Sequence, residues 1–119
     1  MSCILIAEDE PRIAAFMEKG LKRAGFTTVV VTNGSAVVDS LVSGTFDLLL
    51  LDLGLPDKDG IEILEDMRRQ GFTVPVVVVT ARALDLRERT EIGMTGRDVV
   101  SKPFLMKDLV QKVRSLLNQ

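Results

Sequence analysis

The stretch Asp47-Leu48-Leu49-Leu50-Leu51-Asp52-Leu53-Gly54-Leu55-Pro56-Asp57-Lys58-Asp59-Gly60 decides how this chain is read. Four consecutive leucines leave no polar face, which suits a strand covered on both sides of a sheet. The run stops on a carboxylate and then turns through Gly54 and Pro56. A buried strand ending this way carries Asp52 to the rim of the sheet, and open α/β sheets place their chemistry at the carboxyl ends of their strands. Working outward, three other apolar runs also end in reactive groups: Glu8-Asp9, Thr80 and Lys102.

Apolar runs alternate with amphipathic stretches along the whole chain, the βα signature of a parallel sheet. Strands are expected over residues 3–7, 27–31, 47–51, 75–79 and 98–101. The run Val76-Val77-Val78-Val79 is β-branched throughout, as a strand covered on both faces should be. Helical spacing predicts a first helix over 11–24, with Ile13, Phe16, Met17, Leu21 and Ala24 inward, Pro11 in its first turn and Gly25 at its end. A second helix is expected over 34–43 with Val37 and Leu41 inward, and a third over 58–70 burying Ile61, Leu64 and Met67. The last, over 105–117, carries Leu109, Val110, Val113, Leu116 and Leu117 in one stripe. The fourth, over 84–92, is weak: Arg87, Glu88, Arg89 and Glu91 crowd it, which fits either a solvated helix or a segment that moves. Five βα pairs do not fix the strand order. Right-handed crossovers and two faces to cover make one doubly wound (βα)5 domain of order 2-1-3-4-5, spanning residues 1–119, the expectation.

The 119 residues suit a single domain, and 46% hydrophobic with 27% charged residues is an ordinary globular balance. A net charge of −2 argues against nucleic-acid binding by this domain. The lone Cys3 excludes an internal disulfide and reads as a small buried hydrophobe. With no histidine in the chain, every imidazole triad or metal site is excluded, and a phosphohistidine would have to come from another protein. The opening residues are too short and uncharged for a signal peptide, and no apolar run approaches the roughly 20 residues that span a membrane. A cytoplasmic protein without membrane contact is expected.

With the strands in that order, the first and third are neighbours, so Glu8, Asp9 and Asp52 meet where the order reverses. Carboxylates about 5 Å apart at an effective dielectric of about 20 repel by roughly 3 kcal/mol per pair. A divalent cation relieves this, and an oxygen-only ligand set completed by water suits magnesium. The Gly54 carbonyl could be a further ligand. Glu8-Asp9 alone would read as a helix cap; Asp52 opposite turns the reading toward a metal site. Asp52 can also act as a nucleophile, since carboxylates form acyl phosphates. The Thr80 hydroxyl can donate to a phosphoryl oxygen, Ala81 beside it leaves room for one, and Lys102 supplies a cation. Pro103 allows a sharp, cis-proline turn that would aim Lys102 inward.

Together these pieces resemble the receiver domain of bacterial two-component response regulators, a flavodoxin/CheY-like fold. The resemblance rests on Ile4-Leu5-Ile6-Ala7-Glu8-Asp9-Glu10, the Asp47–Gly60 stretch, Val79-Thr80-Ala81-Arg82 and Ser101-Lys102-Pro103-Phe104, in this order and spacing. It implies that Asp52 accepts a phosphoryl group from a phosphohistidine of a sensor kinase or phosphotransfer protein. It implies that Asp9, Asp52 and the Gly54 carbonyl hold Mg2+, with Glu8 reaching it through water, and that Thr80 and Lys102 bind the phosphoryl oxygens. Thr80 would then shift, and the fourth helix, fifth strand and fifth helix would rearrange to control an output domain or partner. Such a protein is a self-phosphorylating and autodephosphorylating switch rather than a turnover enzyme. Thr80-Ala81-Arg82 and Leu55-Pro56-Asp57-Lys58-Asp59-Gly60 are similar to the winged-helix, OmpR-like subgroup, which regulates transcription. If the protein is longer, a DNA-binding domain is expected after Gln119; if it is complete, output must pass by contact with another protein.

Two departures from the family pattern stand out. Val99 occupies the position of the usual aromatic partner of the threonine, where it is expected to be small and buried, with altered coupling between Asp52 and the far face. The stretch Thr95-Gly96-Arg97-Asp98-Val99 keeps only Asp98 of the usual pattern, and Arg97 reverses an expected charge. Arg87, Arg89, Glu91, Asp98, Asp108 and Lys112 offer charges for no more than a weak homodimer, since exposed ion pairs contribute only about 0–1 kcal/mol each. Three rivals remain. A pseudo-receiver, binding proteins without phosphate, would have lost the acceptor or cation site, and this chain keeps both. A small phosphohydrolase would want an acid where Gly54 stands. A flavin-binding domain would want a phosphate-binding turn where acidic Glu8-Asp9 stands, and aromatic residues where Trp and Tyr are absent.

Overall fold

The structure, a computed structural model, describes residues 2–94 and 98–118; the readings placed on Thr95, Gly96 and Arg97 lie outside them. In chain order the elements are β1 (Cys3–Ala7), α1 (Pro11–Arg23), β2 (Thr27–Val31), α2 (Ser35–Ser43), β3 (Leu48–Asp52), α3 (Gly60–Arg69), β4 (Val76–Thr80), α4 (Leu86–Met94), β5 (Asp98–Ser101) and α5 (Met106–Leu116). The strands form one parallel sheet of order β2-β1-β3-β4-β5.

Alternation along each strand splits the core in two. Leu5, Ala7, Leu49, Leu51, Val76 and Val78 pack with Val37 and Leu41 of α2, Ile61, Ile63, Leu64 and Met67 of α3 and Ile92 of α4. Ile4, Ile6, Leu48, Leu50, Val77 and Val79 pack on the other face with Met17 and Leu21 of α1 and Leu109 and Val113 of α5. β3 and β4 are buried at every position, and each leucine so buried contributes about 1.5–3 kcal/mol. Rigid central strands are what hold Asp52 and Thr80 in place. Among the described residues no helix is long and apolar enough to cross a membrane.

Several expectations shift. β3 and β4 each run one residue later than expected, because Asp52 pairs in register with Val79 and Thr80 with Ser101. Both reactive residues are therefore the last rungs of their strands. Phe16, expected inward, is 49% exposed; α1 turns Ala14, Met17 and Leu21 to the core instead. Cys3 is half-buried, because β1 begins there, at the amino-terminal edge of the sheet. Val99 is not buried but 36% exposed. β5 is an edge strand with alternating burial, and Val99, beside Val78 in register, faces the side that α4 covers only thinly.

Candidate functional site

Glu8 follows β1 directly, and its amide donates to the Val31 carbonyl at 3.0 Å. This fixes the turn that leads into α1. Glu8 and Asp52 are buried, Asp9 is exposed, and one oxygen from each carboxylate lies within 4.8 Å of the others. The structure thus brings together the three acids on which the cation reading depends. Asp52 is oriented by the Gly54 amide, which donates to its Oδ1 at 3.0 Å. A Cβ on Gly54 would lie 3.6 Å from that oxygen, an ordinary contact; glycine here leaves open space beside the acceptor rather than relieving a clash.

Lys102 enters from the far side of β4. Its amide donates to the Thr80 carbonyl at 2.8 Å, and the Lys102–Pro103 peptide is cis. Its Nζ donates to Glu8 Oε1 at 2.7 Å and lies 3.4 Å from Asp52 Oδ2. Burial pushes the Glu8 carboxyl above its ordinary range; Lys102 and the Glu10 amide pull it down, and the Asp52 carboxylate beside it pushes it further up. Burial also works to lower Lys102, but its hydrogen bond to Glu8 and the charges of Asp52 and Glu8 outweigh that and leave it raised. These directions oppose each other across one contact. The short contact supports the charged pair, with the rise at Glu8 marking the strain of a buried carboxylate facing another. Three carboxylates against one ammonium leave two formal negative charges, the charge of one divalent cation. An all-oxygen set with open, solvated access at Asp9 fits magnesium, which keeps several waters.

Thr80 is 4% exposed. Its Oγ1 accepts from the Arg82 amide at 3.2 Å. Arg82 was quoted from the sequence only as part of Thr80-Ala81-Arg82, without a role, and Glu88, which is 7% exposed, only as one of the charges crowding the fourth helix. The guanidinium of Arg82 bonds Glu88 Oε2 and lies 3.6 Å from Asp59 Oδ1. Asp57 was missed too: its carboxylate accepts from the Gly34 and Ser35 amides at 2.5 and 3.1 Å, tying the loop after β3 to the start of α2. Those two bonds hold the Asp57 carboxyl below its ordinary range. Of the charges considered for a dimer, Arg87 pairs with Glu65 at 2.8 Å and Glu91 with Arg68 at 3.2 Å, while Asp98 lies 3.9 Å from Lys112. They are thus engaged within the chain.

Residues 4–114 match the family model described as the response regulator receiver domain. The chain belongs to that family. This receiver is 38% identical over 113 residues to the response regulator protein PmrA of Pseudomonas aeruginosa, covering 95% of the chain and 51% of that protein. It spans about half the length of the curated relatives it matches, which are response regulators and transcriptional regulators, in keeping with the OmpR-like resemblance. Among solved structures, a CheY-like receiver domain protein of Methanospirillum hungatei superposes with a TM-score of 0.91 at 25% identity, covering 99% of the receiver and 94% of that chain. The response regulator TrrA of Thermotoga maritima, solved in complex with Mg(2+)-BeF, superposes with a TM-score of 0.83 at 26% identity, covering 98% and 99%.

Proposed function

We propose that this receiver takes a phosphoryl group onto Asp52 from the phosphohistidine of a sensor kinase or phosphotransfer protein, in the presence of Mg2+. The observation that carries this reading is the meeting of Glu8, Asp9 and Asp52 within 4.8 Å of one another, with the Lys102 ammonium against two of them. Asp9, Asp52 and the Gly54 carbonyl are the direct ligands in this reading, with Glu8 acting through water. Bound there, Mg2+ supplies charge neutralisation for the incoming phosphoryl oxygens.

The chain's own groups do the rest. Asp52 Oδ1 is held by the Gly54 amide, which leaves Oδ2, on the Lys102 side, as the attacking oxygen. A bond forms from Oδ2 to phosphorus, and the phosphorus–nitrogen bond to the donor imidazole breaks. The nitrogen leaves with the electron pair and takes up a proton. Lys102, already 3.4 Å from Oδ2, binds one phosphoryl oxygen, and Thr80 turns its hydroxyl to another. The altered α4-β5-α5 face then acts on an output domain or a partner, with at most a weak homodimer, and regulation of transcription is the output in a longer chain carrying a DNA-binding domain. Support comes from the relatives' names and from the Mg(2+)-BeF complex of TrrA.

Incubation with acetyl phosphate and Mg2+, read by intact-protein mass spectrometry, tests this. One phosphoryl adduct is expected on the native chain and none on Asp52→Asn. An adduct that persists in Asp52→Asn overturns the assignment, and no adduct on the native chain returns the pseudo-receiver.

A further inference from the structure

We propose that Arg82 is the positioning residue that carries occupancy of the Asp52 site to α4. The inference deepens the phosphoacceptor reading and rests on it. Arg82 stands at a junction of two hydrogen bonds and a longer ion-pair contact. Its backbone N–H donates to Thr80 Oγ1 at 3.2 Å. Its guanidinium bonds Glu88 Oε2 on the first turn of α4. The same nitrogen lies 3.6 Å from Asp59 Oδ1, the residue that caps α3 by accepting from the Ile61 amide.

Glu88 is not an ordinary surface acid. It is 7% exposed, and its Oε1 accepts from the Asp85 amide at 3.0 Å while Asp85 Oδ1 accepts from the Glu88 amide at 2.8 Å. This reciprocal pair is a capping box that defines where α4 starts. Arg82 supplies the counter-charge to the buried half of that box. The helix has little else to hold it: Ile92 is its buried apolar side chain among the described residues, and Leu86 is 81% exposed. Its other anchors are ion pairs to α3, Arg87 with Glu65 and Glu91 with Arg68.

A threonine hydroxyl has one proton and two lone pairs. Turning the proton alone would leave Oγ1 accepting; when the Thr80 side chain rotates to bring that hydroxyl to a phosphoryl oxygen, Oγ1 leaves the line of the Arg82 amide. The half-buried Arg82 N–H then has to find a new acceptor, and the loop shifts to supply one. The guanidinium moves with its backbone, and the Glu88 cap loses or changes its partner. The space for this movement exists. A cleft of about 440 Å³, lined by Thr80, Arg82, Ile92, Val99 and Ser101 among others, lies between the loop, β5 and α4. The short Val99 side chain leaves it open.

The test is amide hydrogen exchange across the first turn of α4, with and without Mg2+ and beryllofluoride, on the full chain and on Arg82→Gln, Arg82→Lys and Glu88→Gln. In the native chain beryllofluoride is expected to speed exchange in that turn about tenfold, as loss of one charge-assisted bond at a helix start should. In Arg82→Gln the turn is expected to exchange fast already, beryllofluoride still binds within about threefold of native affinity, and the ratio between the two states falls toward one. Arg82→Lys restores part of the ratio, and Glu88→Gln reproduces its loss from the helix side. A merely structural Arg82 would speed both states equally and leave the ratio intact, and that result overturns the inference alone. So does loss of beryllofluoride binding in Arg82→Gln, which would make Arg82 part of the phosphoryl site. If the native chain takes no beryllofluoride, the Asp52 reading falls and this inference with it.

Discussion

The two sides of β4 are built to opposite standards. Toward β3 and β1 every strand residue from Leu48 to Asp52 and from Val76 to Thr80 is buried, and the acids at the strand ends are held by the Gly54 amide and the Lys102 ammonium. Toward β5 and α4 burial alternates, Val99 is 36% exposed, and an ion pair between the buried Glu88 and the half-exposed Arg82 stands where an apolar stripe would. A site that must present oxygens to a cation at fixed spacing needs the first kind of packing. In the proposed reading the surface changes shape when the site is filled, and that needs the second, because low local stability is what permits movement.

Truncation should expose that asymmetry. Leu50→Ala removes a fully buried side chain between α1, α5 and the sheet, and a loss of about 3–5 kcal/mol in urea unfolding is expected. A loss under about 1 kcal/mol would mean the central strands are not the rigid half. Asp57→Asn should cost less, and in a pH-dependent way. The folded carboxyl sits below its ordinary value of 3.8 because the Gly34 and Ser35 amides bond its charged form. The stability it adds is therefore present above that value and lost as pH falls through the lower, folded one. Urea melts at several pH values should show native and Asp57→Asn chains separated at neutral pH and converging at the acid end; a constant separation would refute the charge-based account. Val99→Ala should be the mildest, within about 0.5 kcal/mol, since its side chain borders an open cleft. A large loss there would place the switch side in the core after all.

The sequence made the rigid half legible because burial on both faces leaves an unbroken apolar run, and Leu48–Leu51 and Val76–Val79 are such runs. The one-residue extension onto Asp52 and Thr80 was not legible, since it depends on pairing with Val79 and Ser101 across the sheet. Glu8, Asp9, Asp52 and Lys102 announced themselves by ending strands. The roles of Arg82 and Glu88 did not: Arg82 stood out only as the end of Thr80-Ala81-Arg82, and Glu88 was one charge among many in a polar stretch. The spacing Asp85-Leu86-Arg87-Glu88 was nonetheless a readable capping-box signal. Val99 was misjudged although the expected order already put the fifth strand at the edge: what the sequence did not show is how thinly α4 covers that side, where the cleft beside Val99 stays open.

The central claim is that side chains from two neighbouring strand ends chelate one cation. Titrating the metal-free chain with Mg2+ while following backbone amide signals by NMR tests it most directly. The account predicts saturable shifts centred on Asp9, Asp52 and Gly54, absent in Asp9→Asn. Shifts that do not saturate, or that survive Asp9→Asn unchanged, would contradict it.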